Sequence, residues 1–231
     1  MIVYGRNPVR EALRGRRSLK RVWATAGAAR EGWLAGAEVE RVDATELERL
    51  CGSPEHQGIC AEAGPYPYAD AASLLEPDDA LVICLDEVQD PHNLGAVCRV
   101  AESAGVAGVV IPARRSAEIT PAACKAAAGA VEHLAVARVA NLANWLGEAK
   151  AAGAWVYGAA AADEAVPYER PDYRGRVVLT LGSEGRGLRP RVATCCDELV
   201  ALPQRGKVAS LNVATATAAL VYGILHFRGR P

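Results

Sequence analysis

From Ala80 onward the chain alternates short apolar runs with stretches whose apolar residues recur every three or four positions. "ALVICL", "VAGVVIP", "LAVARV", "AWVYGAA" and "RVVLTL" have the length and β-branched content of buried strands. Between them "NLGAVCRVAESAG", "PAACKAAAGA" and "NLANWLGEAKAAG" predict helices. Asn93 stands where the N-cap of the first helix belongs, and Gly105 at its C-terminal cap. Thr120-Pro121 opens the second helix. A glycine loop, "GSEGRGL", follows the fifth run, then a strand "ELVALP" and a final helix. That helix packs through Val213, Ala216, Thr217, Leu220, Val221 and Ile224. Repeated β-α units with near-continuous apolar strands predict an α/β fold, a mainly parallel sheet covered on both faces.

The first sixty residues carry a smaller α/β pattern. "PVREALRG" and "ATELERLC" read as helices, "LKRVWAT" and "QGICAEA" as strands. From Gly64, "GPYPYADAASLLEPDD" has three prolines and no sustained period, so it reads as a connection with at most a short turn. The chain therefore divides into a unit at 1–64, a linker at 65–79 and a larger unit at 80–231. About sixty residues bury little core, so the first unit is expected to lean on a partner surface.

Composition changes this picture in two places. The totals, 51% hydrophobic, 23% charged and net charge −1, are those of an ordinary globular protein. Yet residues 1–30 hold eight Lys or Arg against one acid, and 31–90 hold two against fifteen. A basic segment such as "RGRRSLKR" suits a polyanion, although a charge run alone is more often a solvated surface. Seven cysteines, an odd number without a CxxC pair, argue against a disulfide framework or a zinc site, and no metal is expected. The start lacks the apolar core of a signal peptide and no run approaches a membrane span. The expectation is a reduced, cytoplasmic protein with no membrane partner.

Three clusters carry candidate chemistry. In "DEVQDPHNLGAVCRVAESAG", Gly95 and Arg99 lie four apart on one face, so the glycine leaves room beside the arginine. The cluster falls beyond a strand's carboxyl end, where parallel sheets bind ligands. The plainer reading is a capped helix with Arg99 paired to Glu102. In "VVLTLGSEGRGL", a buried strand runs into Gly182, Glu184, Gly185 and Gly187, a loop that is neither GxxxxGK[ST] nor GxGxxG. In "LPQRGKVASLNVATATAAL", Ser210, Asn212, Thr215 and Thr217 sit where a core helix would place apolar residues. Burying such groups unpaired costs about 1–3 kcal/mol each. Capping accounts for Ser210; Asn212 would sit in the first turn, pointing back toward the loops.

Taken in order, "DPHNLGAVCR", "LGSEGRGL" and "LPxxGxxxSLNVA" resemble the SpoU/TrmH family of RNA 2′-O-ribose methyltransferases over roughly Leu81 to Phe227. "VYGRNPVREAL" resembles the small RNA-substrate-binding domain of the bacterial 23S rRNA guanosine-2′-O-methyltransferases, and "RRSAEITPAACKAAAGAVEHL" looks like the same branch. The resemblance implies a SPOUT-type parallel sheet with a deep C-terminal trefoil knot, a homodimer with its active site completed across the interface, and 23S rRNA as the RNA partner. It also implies S-adenosylmethionine as cofactor, held at Leu181, Gly182, Leu202 and Leu211 with Pro203 shaping the loop. Asn93, Arg99, Glu184, Ser210 and Asn212 fall at its reaction-side positions. Ribose 2′-O-methylation is a direct displacement requiring alignment and stabilisation of a developing alkoxide. Because a guanidinium holds its proton very strongly, Arg99 is expected to anchor phosphate or oxyanion rather than act as base.

The chain departs from the family pattern at Gln204, where Met is usual, at Ala209, where Glu is usual, and at Ala214-Thr215, while the Ser-Leu-Asn core is intact. Two rival readings remain, a tRNA 2′-O-methyltransferase of the same family and a non-catalytic ribosome-assembly protein. Retention of Asn93, Arg99 and Asn212 weighs against the second. A Rossmann dehydrogenase is opposed by the lack of GxGxxG.

Overall fold

The computed structural model describes residues 1–161, 164–207 and 210–229. Its first sheet has four strands, β1 (Ile2–Tyr4), β2 (Leu19–Ala24), β3 (Val39–Arg41) and β4 (Ile59–Ala63), in the order β1-β4-β2-β3. Helices α1 (Arg6–Arg14) and α2 (Ala44–Cys51) pack on it. Asp43 caps α2 through the Glu46 N–H, and Gly52 ends it at φ 64°. The sequence pattern anticipates α1, α2, β2 and β4; β1 and β3 are three residues each, too short to show a period.

The second sheet comprises β5 (Leu81–Asp86), β6 (Gly108–Pro112), β7 (Val136–Val139), β8 (Trp155–Ala159), β9 (Val166–Pro167), β10 (Val177–Gly182) and β11 (Glu198–Ala201). Its order is β7-β6-β5-β10-β8-β11-β9, and every pairing is parallel. Helices α3 (Pro91–Ser103), α4 (Pro121–Ala126), α5 (Leu142–Ala151), α6 (Pro190–Ala193) and α7 (Val213–Arg228) complete the element order. Along β5, Leu81, Ile83 and Leu85 enter one apolar core while Val82 and Cys84 enter the other. Both sheet faces are thus buried, as its continuous apolar strands require. From β5 the chain steps outward through β6 and β7, then returns to place β10 on the other side of β5. The crevice at the carboxyl ends of β5 and β10 is the switch point where such sheets hold ligands.

The first unit does lean on the second. Arg17 and Glu132, both buried, form an ion pair in which Arg17 Nε donates to Glu132 Oε2 at 2.9 Å and a second guanidinium nitrogen to Oε1. Tyr66 Oη donates to the Val131 and Leu134 carbonyls at 3.0 Å each, and burial pushes its phenol up. Lys125 Nζ donates to the Glu55 carbonyl at 2.8 Å. A Cβ on Gly129, whose φ is +90°, would come within 2.7 Å of the Glu11 Cβ. The N-terminal basic run is therefore largely paired within the molecule. Arg6 meets Glu31, Arg10 and Arg14 meet Glu11, and Lys20 meets Glu62. Arg16 and Arg21 stay exposed.

Candidate active site

Three loops, each leaving the carboxyl end of a strand, converge at the switch point. The first opens α3, and its cap differs from expectation. Asp90, not Asn93, is the N-cap, its Oδ1 accepting from His92 N at 2.8 Å with Pro91 as the first helical residue. The helix starts earlier, so Asn93 lies inside its first turn and its side-chain amide is not used as the cap. At α7 the cap is Asn212 rather than Ser210, its Oδ1 accepting from Ala214 N at 2.9 Å and Thr215 N at 3.4 Å.

These two shifts bring three expected site residues together. Asn93 Nδ2 donates to Glu184 Oε1 at 3.0 Å, and Asn212 Nδ2 donates to the same oxygen at 2.6 Å and to Asn93 Oδ1 at 2.9 Å. Capping by Oδ1 fixes which end of the Asn212 amide faces the loop, so its donors must point at Glu184. Of the other polar residues near α7, Thr217 is buried and donates to the Val213 carbonyl at 2.7 Å, a bond within the helix. Thr215 is exposed, and Ser210 lines a cavity.

The loop bearing Glu184 is held by packing and charge. Gly182 pairs with Asp86 in the β10–β5 ladder, and Gly187 N donates to the Ser183 carbonyl at 2.9 Å, folding the loop back. A Cβ on Gly182 would lie 2.0 Å from the Gly187 carbonyl carbon, so only glycine fits. Asp86, fully buried, accepts from Arg189 N and Arg189 Nε at 2.8 Å each, tying the loop's far end to β5. This bond to Asp86 raises the Arg189 guanidinium despite partial burial. Neither residue of this pair was singled out in the sequence; a lone acid ending an apolar strand was the available signal.

Two cavities flank the triangle. The larger, about 550 Å³, is lined by Leu181, Gly182, Leu202, Ser210 and Leu211 among small apolar residues. Pro203 is exposed beside Gln204, which does line it. The smaller, about 260 Å³, is lined by Asn93. Ser183, Glu184, Arg186 and Val213 form a wall common to both. Arg99 is not brought to the triangle. It is exposed, six residues along α3 from Asn93 and hence on another face, and it makes no hydrogen bond or ion pair among the described residues, with Glu102 or otherwise. Nor does Gly95 make room for it: a Cβ there would lie 2.4 Å from the Ala123 carbonyl, so the glycine admits α4. Ala209 lies outside the described residues.

Comparison with known proteins places the chain in a family. Residues 80–222 match the SpoU rRNA methylase family, and residues 2–69 match the RNA 2′-O ribose methyltransferase substrate-binding family. The chain belongs to the SpoU family. Among its SpoU relatives, the 23S rRNA (guanosine-2′-O-)-methyltransferase RlmB of Acinetobacter baylyi is 40% identical over 81% of this chain and 77% of its own length. An uncharacterized tRNA/rRNA methyltransferase of Synechocystis is 37% identical over 99% of this chain, which spans 63% of that longer protein. In fold, the SpoU methyltransferase AviRb of Streptomyces viridochromogenes, crystallised with AdoMet, superposes with a TM-score of 0.82 at 22% identity, covering 99% of this chain and 90% of that one.

Proposed function

We propose that the protein methylates the ribose 2′-oxygen of a guanosine in 23S rRNA, with S-adenosylmethionine as cofactor, as a cytoplasmic homodimer. The observation that carries this reading is the Asn93–Glu184–Asn212 triangle on the wall between two cavities. Residues 1–64 would be the RNA-substrate-binding domain, 65–79 the linker and 80–231 the methyltransferase domain, whose C-terminal segment would form a deep trefoil knot.

The larger cavity fits the cofactor on its own chemistry. Its volume is in the range of small-molecule sites, its walls are mostly apolar, and it ends at a carboxylate suited to a sulfonium. S-adenosylmethionine supplies a methyl group on a neutral-leaving sulfur. Leu181, Gly182, Leu202 and Leu211 hold it, with backbone groups available because Gly182 has no side chain, and Pro203 stiffens the loop behind them. On the smaller cavity's side, Asn93 and Asn212 keep Glu184 oriented so that it aligns the ribose hydroxyl, and Ser210 closes the pocket's edge.

Arg99 acts as a phosphate or oxyanion anchor. Its exposed, unpaired position on α3, on a different face from Asn93, supports its serving the site of a partner subunit. The exposed Tyr222 on α7 supplies an apolar surface for that pairing.

The test is labelled methyl transfer from S-adenosylmethionine to unmodified 23S rRNA and, separately, unmodified tRNA, for wild type and Arg99→Ala, with the product nucleotide mapped. Incorporation at a ribose 2′-oxygen of rRNA that Arg99→Ala abolishes is the expected result. Transfer to tRNA alone overturns the substrate; a folded protein that binds no cofactor overturns the enzyme.

A further inference from the structure

Arg186 is not accounted for by the fold or by the triangle. Glu184, Gly185 and Arg186 form a turn that closes where Gly187 N donates to the Ser183 carbonyl at 2.9 Å. Gly185 and Gly187, on either side of the arginine, hold φ of +77° and +67°, conformations that glycine adopts without strain. The base of the turn is therefore fixed, while the Arg186 side chain is exposed. Two opposite charges stand two residues apart here and do not pair with each other, because Glu184 is turned to the amides of Asn93 and Asn212. Among the described residues Arg186 makes no hydrogen bond or ion pair, and it is the one basic side chain lining either cavity. The smaller cavity sets it among Glu87, Asp90 and Glu184. Glu87 already has Arg189 Nη1 at 3.4 Å and Arg115 Nη1 at 3.7 Å, so those guanidinium groups are committed elsewhere.

We propose that Arg186 holds the phosphodiester on the 3′ side of the target ribose, in the same subunit whose Glu184 aligns the 2′-hydroxyl. The proposal rests on the methyltransferase reading and deepens it. The 2′- and 3′-oxygens stand on adjacent ribose carbons. A ribose whose hydroxyl meets Glu184 therefore brings its 3′-phosphate to the same wall, within reach of a long side chain two residues away. A guanidinium grips a phosphate through parallel N–H donors. The carboxylates of the smaller cavity would repel that phosphate, and Arg186 is the cation placed to offset them. The cofactor has the weaker demand for a cation, since its amino-acid end sets an ammonium beside its carboxylate, whereas a phosphodiester carries an uncompensated charge. Taking up a phosphate also breaks no ion pair of Arg186 within the protein.

The experiment uses the shortest 23S rRNA fragment that wild type methylates, made with a phosphodiester or a neutral methylphosphonate at the linkage 3′ to the mapped nucleotide. Wild type, Arg186→Gln and Arg186→Lys are compared; because Arg186 is exposed, both variants should fold as wild type does. Wild type is expected to lose about tenfold in kcat/KM when the linkage is neutral. Arg186→Gln is expected to lose about tenfold on the ordinary RNA and nothing further on the methylphosphonate. Its RNA affinity should also fall less steeply with salt, the log–log slope shrinking by about 0.7, one counterion on a single strand. Arg186→Lys should keep the salt slope and recover part of the rate. Cofactor affinity, measured calorimetrically without RNA, should be the same in all three. If the losses from Arg186→Gln and from the methylphosphonate multiply instead of coinciding, the assignment falls and the methyltransferase stands. Weakened cofactor binding with an unchanged KM for RNA has the same consequence. Wild type that methylates no RNA overturns both.

Discussion

The ion pair of Arg17 with Glu132 and the bonds from Asn93 to Glu184 and Asn212 both join residues roughly a hundred positions apart through polar contacts. They differ in where the water is. Arg17 and Glu132 have side chains only 2% and 1% exposed, so each is a charge that only its partner neutralises. Arg17 is further enclosed by the Tyr66 ring, 5.7 Å from its guanidinium carbon. Glu184 and Asn212 are exposed at a cavity edge, where solvent substitutes for any lost bond. The same bonding chemistry therefore does different work: at the seam between the two units it supports the fold, and at the cavity edge it aims a carboxylate.

Breaking the seam is the largest perturbation available. Glu132→Ala leaves Arg17 buried without its partner, and should cost about 3–5 kcal/mol in urea-induced unfolding while methyl transfer per folded molecule stays near wild type. Gly182→Ala comes next, since its new Cβ must displace the loop that carries Glu184. Cofactor binding followed calorimetrically should be abolished, with a smaller loss in Tm. Glu184→Gln should reverse the pattern of Glu132→Ala, lowering the methyl-transfer rate about a hundredfold with a stability change below about 0.5 kcal/mol. If Glu184→Gln instead destabilises as strongly as the seam variant, the contrast between the two regions fails.

Acid provides the gentlest test. Burial raises the Glu11 carboxyl, but hydrogen bonds from His133 and Arg10 outweigh it and hold the group below its ordinary value of 4.5. A depressed acid stabilises the fold above its unfolded value, and that contribution fades as pH falls through the folded value. The advantage of wild type over Glu11→Gln should therefore be full at pH 6, about 0.5 kcal/mol, and shrink steadily below pH 4.5 in parallel chemical melts.

How much of this was legible in the sequence follows from the same distinction between local and distant determinants. The apolar runs of β5, β6, β7, β8 and β10 announce themselves, because strands buried on both faces need continuous hydrophobic residues, while β11, only partly buried, shows a shorter run. β9, two residues long, carries no such signal. The cap at α3 was misplaced because Asp90-Pro91 reads as a chain break, whereas proline is well suited to a first helical position and aspartate to the cap before it. Ser210 and Asn212 were both eligible caps for α7, and local chemistry does not choose between them. The motifs indicated Asn93, Glu184 and Asn212 separately; their mutual contact depends on pairing β5 with β10, which no local period records. Arg99, named by the same motifs, stays outside the triangle, so motif membership alone did not predict proximity.

Asn212 closes the first turn of α7 with one end of its amide and orients Glu184 with the other. Helix ends fray on fast timescales, long before a domain melts. Each opening of that turn rotates the amide and takes away one of the two side-chain donors on Glu184, so the triangle is expected to loosen inside an intact fold. On warming, catalytic output should fall several degrees before circular dichroism registers any loss of helix, making α7 the thermal fuse of the molecule.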